Sequence, residues 1–124
     1  MVRDPFAKDA PELDDVLGAL DDDTCRTIIG RLEEPMTARE ISDTCDVPLS
    51  TTYRKLEKLS EASLVQEMTE IRTDGQHTTR YNLDFTEVRV LLETDRTLAT
   101  EILRPERPPE ERLSALWTEV RKET

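Results

Sequence analysis

The run Ser50-Thr51-Thr52-Tyr53-Arg54-Lys55-Leu56-Glu57-Lys58 gathers hydroxyls and cations in one short stretch. These groups donate hydrogen bonds to phosphate oxygens and to the edges of bases. Ser50 and Thr51 suit phosphate, because hydroxyls at a helix start act beside backbone N–H groups that have no helical partner. Arg54 can fork onto a guanine edge, a contact worth about 1–3 kcal/mol of discrimination. Tyr53, Lys55 and Lys58 complete the set. Further on, Arg72, His77 and Arg80 flank Asp74-Gly75 and can follow a neighbouring minor groove or backbone. His77 has two readings, a pH-sensitive contact or an exposed turn residue that touches phosphate.

Other chemistry has little material. Cys25 and Cys45 are too few for a disulfide framework. CxxC and HxxxH spacings are absent, and His77 is the single histidine, so neither a metal site nor cysteine–histidine catalysis is expected. Carboxylates are abundant, but none accompanies a recognisable nucleophile, metal cluster or phosphate loop. The expectation is a protein that is not an enzyme and holds no cofactor. The thiols remain redox candidates. Cys25 falls in the first turn of a helix, where free N–H groups and Arg26 favour a thiolate, while Asp21, Asp22 and Asp23 oppose one. It also lies on an apolar stripe, where a cysteine is inert packing. Cys45 ends the following helix beside a turn, either as a filler or where oxidation would move the next helix. A Cys25–Cys45 disulfide requires Cα atoms within about 7 Å.

The elements that must position these residues follow from periodicity. Residues 1–10 read as frayed. Pro11 opens an amphipathic helix with Leu13, Val16, Leu17 and Leu20 at i, i+3, i+4, i+7. Asp21-Asp22-Asp23-Thr24 supplies cap residues for a second helix, which sets Cys25, Ile28, Ile29 and Leu32 on one face and ends at Pro35. Thr37 with Glu40 has capping-box spacing for a short third helix whose inward residue is Ile41. After Asp46-Val47-Pro48 a fourth helix runs from Leu49 or Ser50 to Ala62. Thr52, Leu56 and Leu59 fall within an arc of about 60° and face inward. Ser50, Arg54, Glu57 and Glu61 point away, and Tyr53 and Lys58 lie on the flanks. Lys55 sits nearer the anchored side, so its tip must reach outward along its stem.

From Leu64 the period changes to two. LVQEMTEIR and HTTRYNL read as strands around the Asp74-Gly75 turn. Residues 85–103 fit either a helical stripe interrupted by Asp95 or a second hairpin. In the hairpin Val88, Val90 and Leu92 alternate, Thr94-Asp95-Arg96 turns, and Leu98, Thr100 and Ile102 alternate again. The hairpin is favoured. ERPPEE then links to an amphipathic helix carrying Leu113, Leu116, Trp117 and Val120, a stripe that must be buried somewhere.

Two short helices joined by a tight turn, the second followed by a hairpin, make a winged helix-turn-helix. The fold class is α+β, with residues 11–83 as the DNA-binding domain and 84–124 as a hairpin plus C-terminal helix for packing or dimerisation. A helix that enters the major groove must be anchored by one face so that the other presents polar groups. Pairing of Leu13, Val16, Leu17 and Leu20 with Leu113, Leu116, Trp117 and Val120, within one chain or across a two-fold axis, gives a candidate homodimer. A two-fold would space recognition helices about 34–36 Å apart.

Composition agrees with this placement. Asp plus Glu number 28 against 17 Lys plus Arg, a net charge of -11, yet residues 50–80 balance to zero. A polyanion therefore meets least repulsion at the fourth helix and wing. Arg outnumbers Lys 13 to 4, and an acidic surface poor in Lys suits concentrated salt, where repulsion is screened within about 3 Å at 1 M. An ordinary acidic cytosolic protein is the alternative. No apolar run approaches the roughly 20 residues of a membrane span, and the start MVRDPFAKDAPELDD lacks a signal-peptide core, so a cytoplasmic protein is expected. The expected partner is double-stranded DNA at a promoter or operator. The other class that fits is a winged-helix interaction module that does not bind DNA and docks a protein through its acidic faces.

CDVPLSTTYRKLEKLSEASLV, followed by EIRTDGQHTTRYNLDF and closed by ERLSALWTEVRKET, resembles the haloarchaeal ArsR-type winged-helix transcription regulators. The resemblance spans residues 12–124 and is strongest over 45–83. It implies a dimeric DNA-binding regulator and favours the second hairpin over a helix for 85–103. Metal-sensing members of the wider family carry an ELCVCDL-like helix. The matching EISDTCD has one cysteine rather than two, a departure that speaks against arsenite or metal sensing. Some relatives are thought to answer oxidants through a cysteine, which the resemblance extends to Cys25.

Overall fold

The computed structural model describes residues 12–105. The N-terminal ten residues and the stripe Leu113, Leu116, Trp117 and Val120 lie outside the described residues. In chain order come α1 (Leu13–Asp21), α2 (Asp23–Arg31), α3 (Ala38–Cys45), α4 (Leu49–Glu61), β1 (Val65–Ile71), β2 (His77–Leu83), β3 (Glu87–Leu92) and β4 (Leu98–Leu103). The architecture is an α+β winged helix-turn-helix. No helix among the described residues is long and apolar enough to cross a membrane.

Local chemistry sets the helix limits. Asp22 stands in extended backbone between α1 and α2, and its side chain accepts the Cys25 N–H, capping α2. Thr37 and Glu40 form a reciprocal capping box at the start of α3, with both hydrogen bonds at 3.1 Å. Asp46 ends α3 in the left-handed region at φ 55°, a conformation that Asn and Asp tolerate better than most residues. There the Ser42 hydroxyl donates to the Val47 carbonyl and the Val47 N–H to the Ser42 carbonyl, fixing the turn that launches α4. Ser63, at φ 60°, turns the chain from α4 into β1.

The core gathers one face of every helix and the base of the first hairpin: Val16, Cys25, Ile28, Leu32, Ile41, Leu56, Leu59, Leu64 and Tyr81 are buried. Each fully buried aliphatic contributes about 1.5–3 kcal/mol. Met36 exchanges two backbone hydrogen bonds with Tyr81, which ties the α2–α3 connection to β2 as a one-residue third strand.

The chain forms two separate antiparallel hairpins, β1 with β2 and β3 with β4. Val65 pairs with Leu83 and Ile71 with His77 in the first, and Glu87 with Leu103 and Leu92 with Leu98 in the second. Both turn through three residues, closed by Arg72 N–H to Gln76 O and by Glu93 N–H to Thr97 O. The left-handed residue of each turn is Gly75 (φ 84°) or Arg96 (φ 70°). Residues 85–103 are thus a hairpin, the favoured of the two readings. α1 packs on β4, and the Arg104 guanidinium donates to the Ser63 and Asp84 carbonyls, fastening the second hairpin to the α4–β1 junction.

Candidate nucleic-acid interface

α4 is anchored by the face its sequence marks. Thr52, Leu56 and Leu59 are buried, and the Thr52 hydroxyl is satisfied by the Pro48 carbonyl at 3.1 Å. The opposite face is open. Ser50, Tyr53 and Arg54 are exposed and Thr51 is half-buried. Among the described residues the Arg54 guanidinium has neither an ion pair nor a hydrogen-bond acceptor, so its forked donors stand free for a ligand.

Lys55 and Lys58 depart from the expected outward reach. Lys55 Nζ lies 2.6 Å and Lys58 Nζ 3.2 Å from the same Asp22 carboxylate oxygen, with side-chain exposures of 22%, 41% and 12% for Lys55, Lys58 and Asp22. The lysine stems run toward the body because the α2 cap residue presents a nearly buried carboxylate there, and leaving it unpaired would be costly. Bonding to Lys55, and then to the Cys25 N–H and Lys58, holds the Asp22 carboxyl well below the usual carboxylate range against the opposing effect of burial. Asp22 therefore does three things at once: it caps α2, neutralises two cations of α4 and fixes how α4 sits on the body.

The wing residues divide in the same way. Arg72 and His77 are exposed at the turn end of the hairpin, and among the described residues neither side chain has an ion-pair partner. Arg80 is engaged: its Nε donates to Glu70 at 2.9 Å and its Nη1 to Glu40 at 3.1 Å, bracing the wing against α3. Glu40 in turn is held below its ordinary value, first by the Thr37 N–H and hydroxyl and also by Arg80.

A cleft between α4 and the wing brings Tyr53 and His77 together and adds Thr37, Arg39 and Thr78. Arg39 is not singled out by the sequence, and Thr37 only as the cap of α3. The signal for them is available, since the first helix of a helix-turn-helix crosses the DNA backbone while the second lies in the groove. Next to Tyr53, on the side toward β1, lie Glu57, Glu61 and Glu67, an acidic shoulder.

Cys25 is wholly buried, and its thiol is pushed up to about 11, first by burial and then by the Asp22 charge. Its surroundings thus disfavour the thiolate that the helix start suggested. The sulfur instead makes a weak contact with the Lys55 carbonyl at 3.9 Å. Cys45 is half-buried, and burial raises its thiol too; both cysteines are free. Of the α1 residues considered for dimerisation, Val16 is consumed by the chain's own core because α1 turns it onto α2 and α4. Leu13 and Leu20 are half-buried and Leu17 is exposed.

A family model described as a helix-turn-helix domain matches residues 20–67, from the end of α1 into β1. Among solved structures the chain is similar to a possible transcriptional regulator from Methanosarcina mazei Go1, with 17% identity and a TM-score of 0.45. That similarity covers 56% of this chain and 62% of the other, so it spans less than two thirds of that protein's length. No curated protein matches the chain. The family match takes in α2, α3, the turn and α4 entire, the elements that set Arg54 and Tyr53 on an open face.

Proposed function

We propose that this chain is a sequence-specific DNA-binding transcription regulator of the ArsR type, acting as a dimer in a high-salt cytoplasm. One observation carries the proposal: α4 is clamped by Thr52, Leu56 and Leu59 while Ser50, Tyr53 and Arg54 stand on its outer face, with Arg54 free of acceptors among the described residues. A helix so mounted enters a major groove with Arg54 toward base edges and Ser50 and Thr51 toward phosphate. Arg72 and His77 extend the contact along the wing. Lys55, Lys58 and Arg80 contribute to DNA binding chiefly as positioning residues, because Asp22, Glu40 and Glu70 already hold them. Control of a promoter then follows by occlusion or recruitment. A thiol switch has the least support, since Cys25 is buried in surroundings that disfavour a thiolate; Cys45, nearer the surface and at the helix-turn-helix corner, is the better placed thiol.

A second reading, a winged-helix module that docks a protein, is favoured by the acidic shoulder of Glu57, Glu61 and Glu67 beside Tyr53. Selection separates the two. Genomic fragments recovered with the protein in the salt of its native cytosol are expected to share an enriched sequence. Matched salt is essential, because affinity falls steeply with ion concentration. Recovery without sequence enrichment transfers the assignment to the interaction module.

A further inference from the structure

The outer side of α4 keeps less positive charge than its sequence holds. The helix carries three cations, Arg54, Lys55 and Lys58. Lys58 follows Arg54 by four residues and Lys55 follows Thr51 by four, so each stands one turn along from a residue of the open face. A lysine in such a place ordinarily extends its head into water or onto a phosphate oxygen. Here both ammonium groups turn back to the body. Lys55 Nζ lies 2.6 Å and Lys58 Nζ 3.2 Å from Asp22 Oδ2, while Asp22 Oδ1 accepts the Cys25 N–H at 3.0 Å. The Lys58 stem runs past α1, where a Cβ on Gly18 would lie 3.9 Å from Lys58 Cε.

Capping alone does not call for this charge. Asn or Ser caps a helix about as well as Asp does, through the same side-chain oxygen. What the carboxylate adds is its hold on two cations of the recognition helix. Of the three successive aspartates, Asp22 is the one that reaches them; Asp23 pairs instead with Arg26 at 3.3 Å. Competition with a duplex is uneven. A lysine that leaves for a phosphate forms an exposed, screened pair of little worth. It leaves behind a carboxylate whose side chain is only 12% exposed, where an unbalanced charge is costly.

We propose that Asp22 is an internal substitute for a DNA phosphate: it withholds Lys55 and Lys58 from the duplex backbone and so sets how many phosphates the protein neutralises. The inference rests on the proposed DNA binding through α4 and not on sequence specificity. Affinity falls with salt more steeply for each phosphate neutralised, so withholding two cations makes binding less dependent on salt. Asp22 acts here as a positioning residue, through the lysines and without touching DNA.

The test titrates binding of a random-sequence duplex against salt for the full chain, Asp22→Asn and Asp21→Asn, over the range in which each unfolds cooperatively on heating. Asp21 is exposed, and its replacement removes the same charge one residue away. Asp22→Asn is expected to steepen the slope of log affinity on log salt by about 0.9–1.8, that is by one or two phosphates. Asp21→Asn is expected to keep the parent slope. Adding Lys58→Gln to Asp22→Asn should take back about 0.9 of the gain. A merely structural Asp22 would instead weaken binding on replacement without steepening the slope. Asp22→Ser, a neutral cap of another shape, carries the measurement if the asparagine variant does not fold. Amine labelling of the parent needs no variant: Lys55 and Lys58 should keep their free-state reactivity when duplex is added. An unchanged slope in Asp22→Asn, equal steepening in Asp21→Asn, or protection of either lysine by duplex would overturn this inference and leave DNA binding standing. Failure of every chain to bind duplex at any salt would overturn both.

Discussion

The two hairpins share a backbone plan and differ in what they show to their surroundings. Each closes a three-residue turn with a left-handed third residue. The first, β1–β2, presents Glu67, Thr69, Glu70, Arg72, His77 and Thr79, and its one exposed large apolar residue is Ile71. The second, β3–β4, presents Val90, Leu91, Leu92 and Leu98. Their bases differ as well: Tyr81 roots the first in the core, bonded to Met36, whereas the second rests on the half-buried Val88 and Ile102. The same turn thus serves a polar wing in one place and an apolar edge in the other. Hydrogen-bond geometry makes a hairpin; the exposed positions set what it presents.

The largest test of that contrast is at the bases. Tyr81→Ala is expected to destabilise the fold by about 3 kcal/mol or more, the usual cost of emptying a buried aromatic site. Val88→Ala, where the site is open to water on one side, is expected to cost about 1 kcal/mol. Denaturant midpoints check both, and equal costs would remove the asymmetry.

An intermediate effect bears on the body that both hairpins share. Asp22→Asn keeps a capping side chain but leaves Lys55 and Lys58 without their anion, at an expected cost of about 2 kcal/mol at neutral pH. The Asp22 carboxyl is held low in the folded state. Its contribution is therefore complete above the unfolded carboxylate value of about 3.9 and is lost as pH falls below it. The stability gap between parent and variant should shrink on acidification and should also shrink with added salt. A gap independent of pH would show that the charge pair is not what holds α4.

The smallest effect concerns the turns. Gly75→Ala is expected to cost about 1 kcal/mol, because a Cβ is placed at positive φ, and Arg96→Gly to gain about 0.5 kcal/mol by relieving the same condition. Thermal unfolding of the two variants gives opposite signs if both turns use the left-handed residue alike.

Elements governed by near neighbours were legible in the chain. The Thr37–Glu40 capping box, the inward Thr52, Leu56 and Leu59, the Asp74-Gly75 turn and the alternation through Val88 and Ile102 depend on residues a few positions apart. Pairings across the fold were not. A helical projection gives the angle of Lys55 but not the anion awaiting it on the α2 cap, and it cannot show Arg80 shared between Glu40 and Glu70. Likewise the apolar stripe of α1 fits a helix partner within the chain or across a two-fold axis, and only the fold shows Val16 enclosed in the chain's own core. Core positions are fixed by burial, but a surface cation's role depends on which carboxylate tertiary packing delivers to it.

The proposed DNA recognition rests on Arg54, which has no acceptor among the described residues, while Arg80 is held by Glu40 and Glu70. Affinity for the enriched duplex, measured at the native salt concentration for Arg54→Ala and Arg80→Ala, tests it most directly. Arg54→Ala should weaken binding by at least about fivefold, in line with a loss of about 1–3 kcal/mol, with an unchanged melting temperature, and Arg80→Ala should weaken it less than twofold. Parent-level affinity in Arg54→Ala, with the fold intact, would remove Arg54 from DNA recognition.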